Sequence, residues 1–237
     1  MTPPSAQHFT AVVPAAGVGK RMRADIPKQY LPLLGKTMLE QTLENLIAHP
    51  QISRVVLALH PEDPYFADLP IASQPWLTKV NGGEERADSV LAGLAAIQDE
   101  EWVLVHDAAR PCLPHQDLDK LLALAGGAVG GILACPVRDT MKLADEHNRV
   151  NTSLDRSRMW HALTPQFFPL ALLKDSLQQA LNANVAITDE ASAIEWIGGT
   201  VQLVEGNACN IKVTQPVDLM LAEFYLNKLL HNGRSSI

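Results

Sequence analysis

The 237-residue chain is short of cysteine, of aromatic residues and of positive charge. Its three cysteines, Cys112, Cys135 and Cys209, are odd in number and widely spaced. That excludes a disulfide framework and a clustered zinc site, and free thiols in a reducing compartment are expected. Aromatic residues make up 5% of the chain. No stretch approaches the roughly 20 apolar residues that a bilayer crossing takes, so no membrane contact is expected. The first residues, Met1-Thr2-Pro3-Pro4-Ser5, lack the basic and apolar regions of a secretory signal, and a cytoplasmic location is expected. Lys and Arg number 19 against 26 Asp and Glu, a net charge of -7 that argues against a general nucleic-acid binder. No Gly-x-Ser-x-Gly or Cys/His pairing marks a nucleophile with its base. Repeats, low-complexity segments and linkers are missing too.

Against this acidic background, four cations fall between residues 20 and 28: Lys20, Arg21, Arg23 and Lys28. They follow Phe9-Thr10-Ala11-Val12-Val13, which reads as a buried strand, and Pro14-Ala15-Ala16-Gly17-Val18-Gly19, a loop of small residues. Small residues let backbone approach a ligand, and clustered cations call for an anion. Phosphate is the simplest candidate. Two common phosphate loops are excluded. The Walker pattern needs a glycine where Pro14 stands and a Ser or Thr where Arg21 stands. The dinucleotide pattern needs a third glycine where Met22 stands. A glycine turn with a solvated basic face remains the bland alternative.

Apolar runs at 55–59, 102–105 and 131–134 read as buried strands. Between them Thr37 and Glu40 form a capping box that opens a helix, and helical periods cover 85–97, 118–124 and 170–181. A last helix begins near Pro216, and Gly233 can end it. The alternation predicts a mostly parallel twisted sheet with helices on both faces, in one domain spanning 1–237. Residues 138–160 break the rhythm. Polar and apolar residues alternate on both sides of a turn at 144–149, which predicts a β-hairpin excursion. Its unpaired edges need cover, and a second copy of the chain is the expected cover.

Ligands of such sheets bind beyond the carboxyl ends of the strands. His106-Asp107 stands at one such end. Asp107 is a candidate ligand for Mg²⁺, a hard cation that bridges phosphate oxygens; a helix cap or a partner for Arg110 is the alternative. His106 reads as structural, since one histidine does not make a soft-metal site. Gly82-Gly83 through Ser89 is a second glycine loop entering a helix, able to present backbone groups and Ser89 to a base or sugar. The alternative is an ordinary helix start with acidic first-turn residues. Lys212 lies in Asn210-Ile211-Lys212-Val213-Thr214, which reads as a short extended run with an edge lysine. Thr164 and Thr188 read as helix N-caps.

Taken together, these segments resemble the 2-C-methyl-D-erythritol 4-phosphate cytidylyltransferase family over nearly the whole chain. The Pro14-Ala15-Ala16-Gly17 start is shared with many nucleotidyltransferases. The segments Val105-His106-Asp107-Ala108-Ala109-Arg110-Pro111 and Asn210-Ile211-Lys212-Val213-Thr214 are far more specific, and Val137–Thr140, Trp160–Gln166 and Thr188–Ala191 agree. The resemblance implies a cytoplasmic, Mg²⁺-dependent homodimer. It would join CTP to the phosphate of methylerythritol phosphate and release pyrophosphate, in non-mevalonate isoprenoid synthesis. It also implies roles for residues. Ala15, Ala16, Gly17, Gly19 and Ala108 would hold CTP, with Gly83 and Ser89 reading cytosine and ribose. Arg21 and Lys28 would stabilise the transition state, with Lys212 and Arg156 as further catalytic groups. Asp107, Arg110, Thr140, Arg156, Thr164, Thr188 and Lys212 would surround the sugar-alcohol phosphate. Thr140, Arg110 and Arg156 would come from the neighbouring subunit through the hairpin arm. Related sugar nucleotidyltransferases often use two carboxylates for metal. Ala208-Cys209 stand before Asn210 with no acid, so phosphate and water are left to complete any shell around Asp107.

Overall fold

The computed structural model describes residues 7–17, 26–98 and 100–232. Gly19, Lys20, Arg21, Arg23 and the helix stop expected at Gly233 lie outside them. Among the described residues the strands are β1 (Phe9–Pro14), β2 (Pro32–Leu33), β3 (Lys36–Thr37), β4 (Ile52–Leu59), β5 (Leu77–Asn81), β6 (Trp102–Val105), β7 (Gly131–Pro136), β8 (Met141–Ala144), β9 (Val150–Leu154), β10 (Trp160–Pro169) and β11 (Gln202–Glu205). The helices are α1 (Met38–Ile47), α2 (Arg86–Ala95), α3 (His115–Leu122), α4 (Leu170–Asn182), α5 (Glu190–Trp196) and α6 (Pro216–Asn232). Seven strands form one sheet in the order β11-β7-β10-β6-β1-β4-β5. All its neighbours run parallel except β10, which is antiparallel to β6 and β7.

The central strands are buried on both faces, which is why they read as continuous apolar runs. Along β1 the side chains alternate. Ala11 and Val13 join the cluster with Leu39, Leu43 and Leu118 of α1 and α3, whereas Val12 joins Val90 and Leu94 of α2 and Leu173 and Leu177 of α4. Phe167 of β10 packs edge-on against Phe9 and tilted against Trp102, at centroid distances of 5.0 and 4.9 Å. Helix α1 starts at the predicted capping box: Thr37 Oγ1 accepts from Glu40 N, and Thr37 N donates to Glu40 Oε2 at 2.8 Å. Helix α2 rides close on β1, because a Cβ on Gly93 would meet Val12 Cγ1 at 2.4 Å.

Three sequence expectations are corrected. Thr164 lies inside β10, so it caps no helix. Asp189, not Thr188, caps α5, accepting from Ser192 N at 3.0 Å. Lys212 sits in an irregular loop rather than an extended strand. The predicted hairpin is present as β8 and β9, pairing Met141 with Leu154 and Leu143 with Thr152. Its stems leave the sheet side by side, and Val137 N donates to Met159 O at 2.9 Å.

Candidate active site

Two cavities open at the carboxyl ends of β1 and β6. The larger, about 380 Å³, is lined by Ala15, Ala16 and Gly17 after β1, by Lys28 and Gln29, and by Ala108 after β6. Its other wall is the second glycine loop with Gly83 and Ser89. The Ala15 carbonyl accepts from Gln29 Nε2 at 2.9 Å, which ties the loop after β1 to the segment carrying Lys28. Lys28 Nζ donates to Val213 O at 3.3 Å. Glycine is required at 82 and 83: added Cβ atoms would lie 2.6 Å from Ala16 Cβ and 2.3 Å from Asp88 Cβ. With nothing in that space, Gly83 N donates to Ser89 Oγ at 3.1 Å, and the two loops close together.

The smaller cavity, about 230 Å³, is lined by Arg110, Thr164, Gln166, Thr188 and Asp189, among others. Among the described residues, three line both cavities: Arg86, Asp107 and Lys212. They form one ionic cluster. Asp107 Oδ1 accepts from Arg86 Nε at 3.1 Å, and Oδ2 lies 2.8 Å from Lys212 Nζ and 3.6 Å from Arg110 Nε. Burial pushes the Asp107 carboxyl up, but Arg86, Lys212 and Arg110 outweigh it and hold it well below the usual carboxylate range. Arg86 in turn reaches Glu190, at the start of α5, with Nη1 and Nη2 at 2.7 and 3.2 Å from the two carboxylate oxygens. Burial acts against the charge of Arg86, yet Glu190 and Asp107 raise its pKa further. For Glu190, burial raises the carboxyl more than Arg86 lowers it.

A buried hydrogen-bond chain fixes the backbone beneath this cluster. Asp107 N donates to Thr164 Oγ1 at 3.0 Å. Thr164 Oγ1 lies 3.0 Å from His106 Nδ1, and His106 Nε2 lies 3.0 Å from the Arg110 carbonyl. A carbonyl only accepts, so Nε2 carries the proton and Nδ1 accepts from the threonine hydroxyl. His106 is thus neutral and structural, its pKa lowered by burial to about 4. Arg110 Nη1 donates to Asn210 O at 2.7 Å, and Asn210 Nδ2 to Thr164 O at 2.7 Å, which anchors the loop carrying Lys212.

The cluster bears on metal binding. Asp107 faces three cations, and among the described residues no three His, Cys, Asp or Glu side chains are grouped to hold an ion. One carboxylate already paired with cations does not by itself make a protein-held Mg²⁺ site, and Asp107 serves in this structure as a hub for cations.

A model of the family described as IspD, 2-C-methyl-D-erythritol 4-phosphate cytidylyltransferase, matches residues 9–228. The chain belongs to this family. A cytidylyltransferase of that name from Pseudoalteromonas atlantica is 61% identical over 219 residues, 92% of this chain and 95% of the relative. One from Escherichia fergusonii is 59% identical over 223 residues, 93% and 94% of the two chains. The crystal structure of the Francisella tularensis 2-C-methyl-D-erythritol 4-phosphate cytidylyltransferase superposes with a TM-score of 0.78 at 34% identity, covering 92% of this chain and all of that one. Most of the residues singled out by the resemblance divide between the two cavities of the chain. Ala15, Ala16, Gly17, Lys28, Gly83, Ser89 and Ala108 gather at the larger cavity, and Arg110, Thr164 and Thr188 at the smaller, with Asp107 and Lys212 shared. Thr140 and Arg156 line neither; both are exposed at the base of the arm, where Arg156 Nη1 donates to Arg138 O. Arg110 departs from expectation. It is buried beside its own Asp107 and lines its own chain's cavity, because it sits in the loop after β6 and not on the arm. Sequence reasoning missed Arg86 and Glu190. The signal it left unused is a cation at the first position of a helix, where the helix dipole disfavours positive charge.

Proposed function

We propose that this chain transfers the cytidylyl group of CTP to the phosphate of 2-C-methyl-D-erythritol 4-phosphate, forming 4-diphosphocytidyl-2-C-methyl-D-erythritol and pyrophosphate for isoprenoid precursor synthesis. The observation that carries the reading is the pair of cavities divided by Arg86, Asp107 and Lys212. The larger takes the nucleotide and the smaller the acceptor, and the reacting groups meet at the shared wall.

The attacking group is a phosphate oxygen that is already ionised, so no general base is needed. Its oxygen forms a bond to the α-phosphorus as the bond to the bridging oxygen of the β-phosphate breaks in line, and that oxygen leaves with pyrophosphate. The obstacle is repulsion between two phosphates and the charge of a five-coordinate transition state. Fixed cations relieve both, and one such donor is worth about 3–4 kcal/mol. Lys28 approaches from the nucleotide side and Arg110 from the acceptor side, with Lys212 on the wall between them. Arg21 has the matching assignment but lies outside the described residues, as does Gly19. Thr188 offers a hydroxyl to the acceptor, while Thr164, whose hydroxyl is bonded to His106 and Asp107, holds the pocket wall. The divalent cation enters on the triphosphate, as part of the nucleotide substrate, since the protein's carboxylate is committed to cations.

Thr140 and Arg156 complete the acceptor site from a second copy, whose arm reaches across. Residues 138–160 are an excursion within one functional unit spanning 1–237. The arm is amphipathic along its paired stretch: Met141, Leu143 and Leu154 share one face with Thr152, while Lys142 and Ser153 occupy the other. On that face Leu143 and Leu154 are 49% and 36% exposed, apolar surface that calls for cover. The reading places the reaction in the cytoplasm; the three thiols are unpaired, and no described helix is long and apolar enough to cross a membrane.

Purified protein with CTP, Mg²⁺ and methylerythritol phosphate should release pyrophosphate in step with a cytidine diphosphate product. Absence of release at high enzyme concentration overturns the reading. Ribitol phosphate, supplied side by side, should give a much lower kcat/KM.

A further inference from the structure

We infer that Arg86, clamped by Glu190, is a positioning residue that sets the orientation of Asp107 at the wall between the two cavities. The inference rests on the two-substrate reading above and adds to it the pair that holds the wall in register.

Four observations carry it. Arg86 uses all three guanidinium nitrogens, Nη1 and Nη2 on Glu190 and Nε on Asp107. A fork-shaped cation held at two points on one carboxylate can aim its remaining donor with little freedom. Glu190 is 1% exposed and both its carboxylate oxygens accept from Arg86, so the guanidinium is the charged partner of a buried carboxylate. By occupying Oδ1, Arg86 leaves Oδ2 of Asp107 to Lys212 and Arg110. Finally, Arg86 sits at the first position of α2, where the helix dipole opposes a cation. A local rule broken inside a cavity wall marks a residue kept for its site rather than for its helix.

The consequence is directional. The clamp comes from α5, next to Thr188 and Asp189 of the acceptor cavity. On the nucleotide side, the contact between Gly83 and Ser89 stands without it. Loosening the clamp lets Asp107 swing and draws Lys212 with it, which disturbs the acceptor phosphate more than the nucleotide.

The test uses Glu190→Gln and Arg86→Lys in the full-length protein. Gln keeps the size of Glu190 and removes its charge; Lys keeps the charge of Arg86 and removes the fork. Each should lower kcat/KM for the acceptor by roughly 10–100-fold while KM for CTP stays within about twofold. The double variant should be no worse than the poorer single one, because the two residues act as a unit. Glu190→Asp should recover part of the loss. Equal losses for both substrates that follow the drop in melting temperature, or losses that multiply in the double variant, would overturn the inference. A readout without turnover comes from ¹⁵N NMR of the free protein, with the Arg86 Nε–H signal assigned by its absence in Arg86→Lys. That signal should be sharp and protected from exchange in the wild type, and broadened or lost in Glu190→Gln. An unchanged signal overturns the clamp. If the wild type releases no pyrophosphate, the two-substrate reading fails while the NMR result still decides whether Glu190 holds Arg86.

Discussion

At the scale of single residues, chemistry and scaffold are interleaved at consecutive positions. Asp107 gathers three cations while its neighbour His106 stays neutral beneath it. Replacing Asp107 by Asn leaves Arg86, Lys212 and Arg110 repelling one another without an anion. Turnover should fall by at least about 100-fold. Stability should fall by about 2 kcal/mol, less than for a fully buried pair because Arg86 and Lys212 are partly solvated. Steady-state kinetics and chemical denaturation check both. His106 gives a pH dependence. Folded, it takes a proton only near pH 4; its ordinary value is 6.5. The unfolded chain therefore binds more protons between those values. The His106 contribution is fully present above pH 6.5 and is lost as pH falls toward 4, on the order of 3 kcal/mol. Denaturation of wild type and His106→Gln across that range should show the slope in the first and its reduction in the second. The comparison separates His106 from Glu190, whose raised carboxyl acts with the opposite sign. Most of the lining residues were legible because they lie in short contiguous motifs. Glu190 and Arg86 were not, since their contact joins positions 104 apart and only the fold brings them together.

Among elements, the strands buried on both faces announced themselves as apolar runs, and β1, β4, β6 and β7 were read close to their true extents. Strand β10 was missed because Pro165 and Pro169 fall within it and prolines argue against a central strand. Edge strands β5 and β11 were missed because they are short and mostly exposed, so no hydrophobic pattern marks them. Missing β10 also misplaced Thr164, whose hydroxyl points from that strand onto Asp107 N. Helix α2 provides a test of packing against propensity. Alanine favours helices by about 1 kcal/mol over glycine. Even so, Gly93→Ala should destabilise by about 1–3 kcal/mol, because the new methyl collides with Val12. CTP affinity should weaken as well, since β1 and α2 carry the facing loops of the larger cavity. A melting temperature at or above wild type would show that the helix moves away at no cost.

For the whole molecule, the central question is whether one chain suffices. Its own cavities lack Thr140 and Arg156, and its arm exposes Leu143 and Val150. Replacing residues 139–158 by a short turn should give a monomer by sedimentation, with turnover reduced by at least about 100-fold. A fully active monomer would show that the site is complete in one chain. The hairpin itself was legible from its alternation, and its role came from resemblance, because nothing in a single chain states what its exposed face meets.

The stems of the arm meet at the hydrogen bond between Val137 and Met159. They emerge from β7 and β10, which are adjacent antiparallel strands, so a simple turn could join them. The arm is therefore a graft: its length and tip can change without rethreading the sheet or shifting its register. Insertions and deletions between those stems are permissive for folding, and the residues that line the chain's own cavities lie outside the arm. The tip around Glu146-His147 is accordingly a natural attachment point for a label or a fused module.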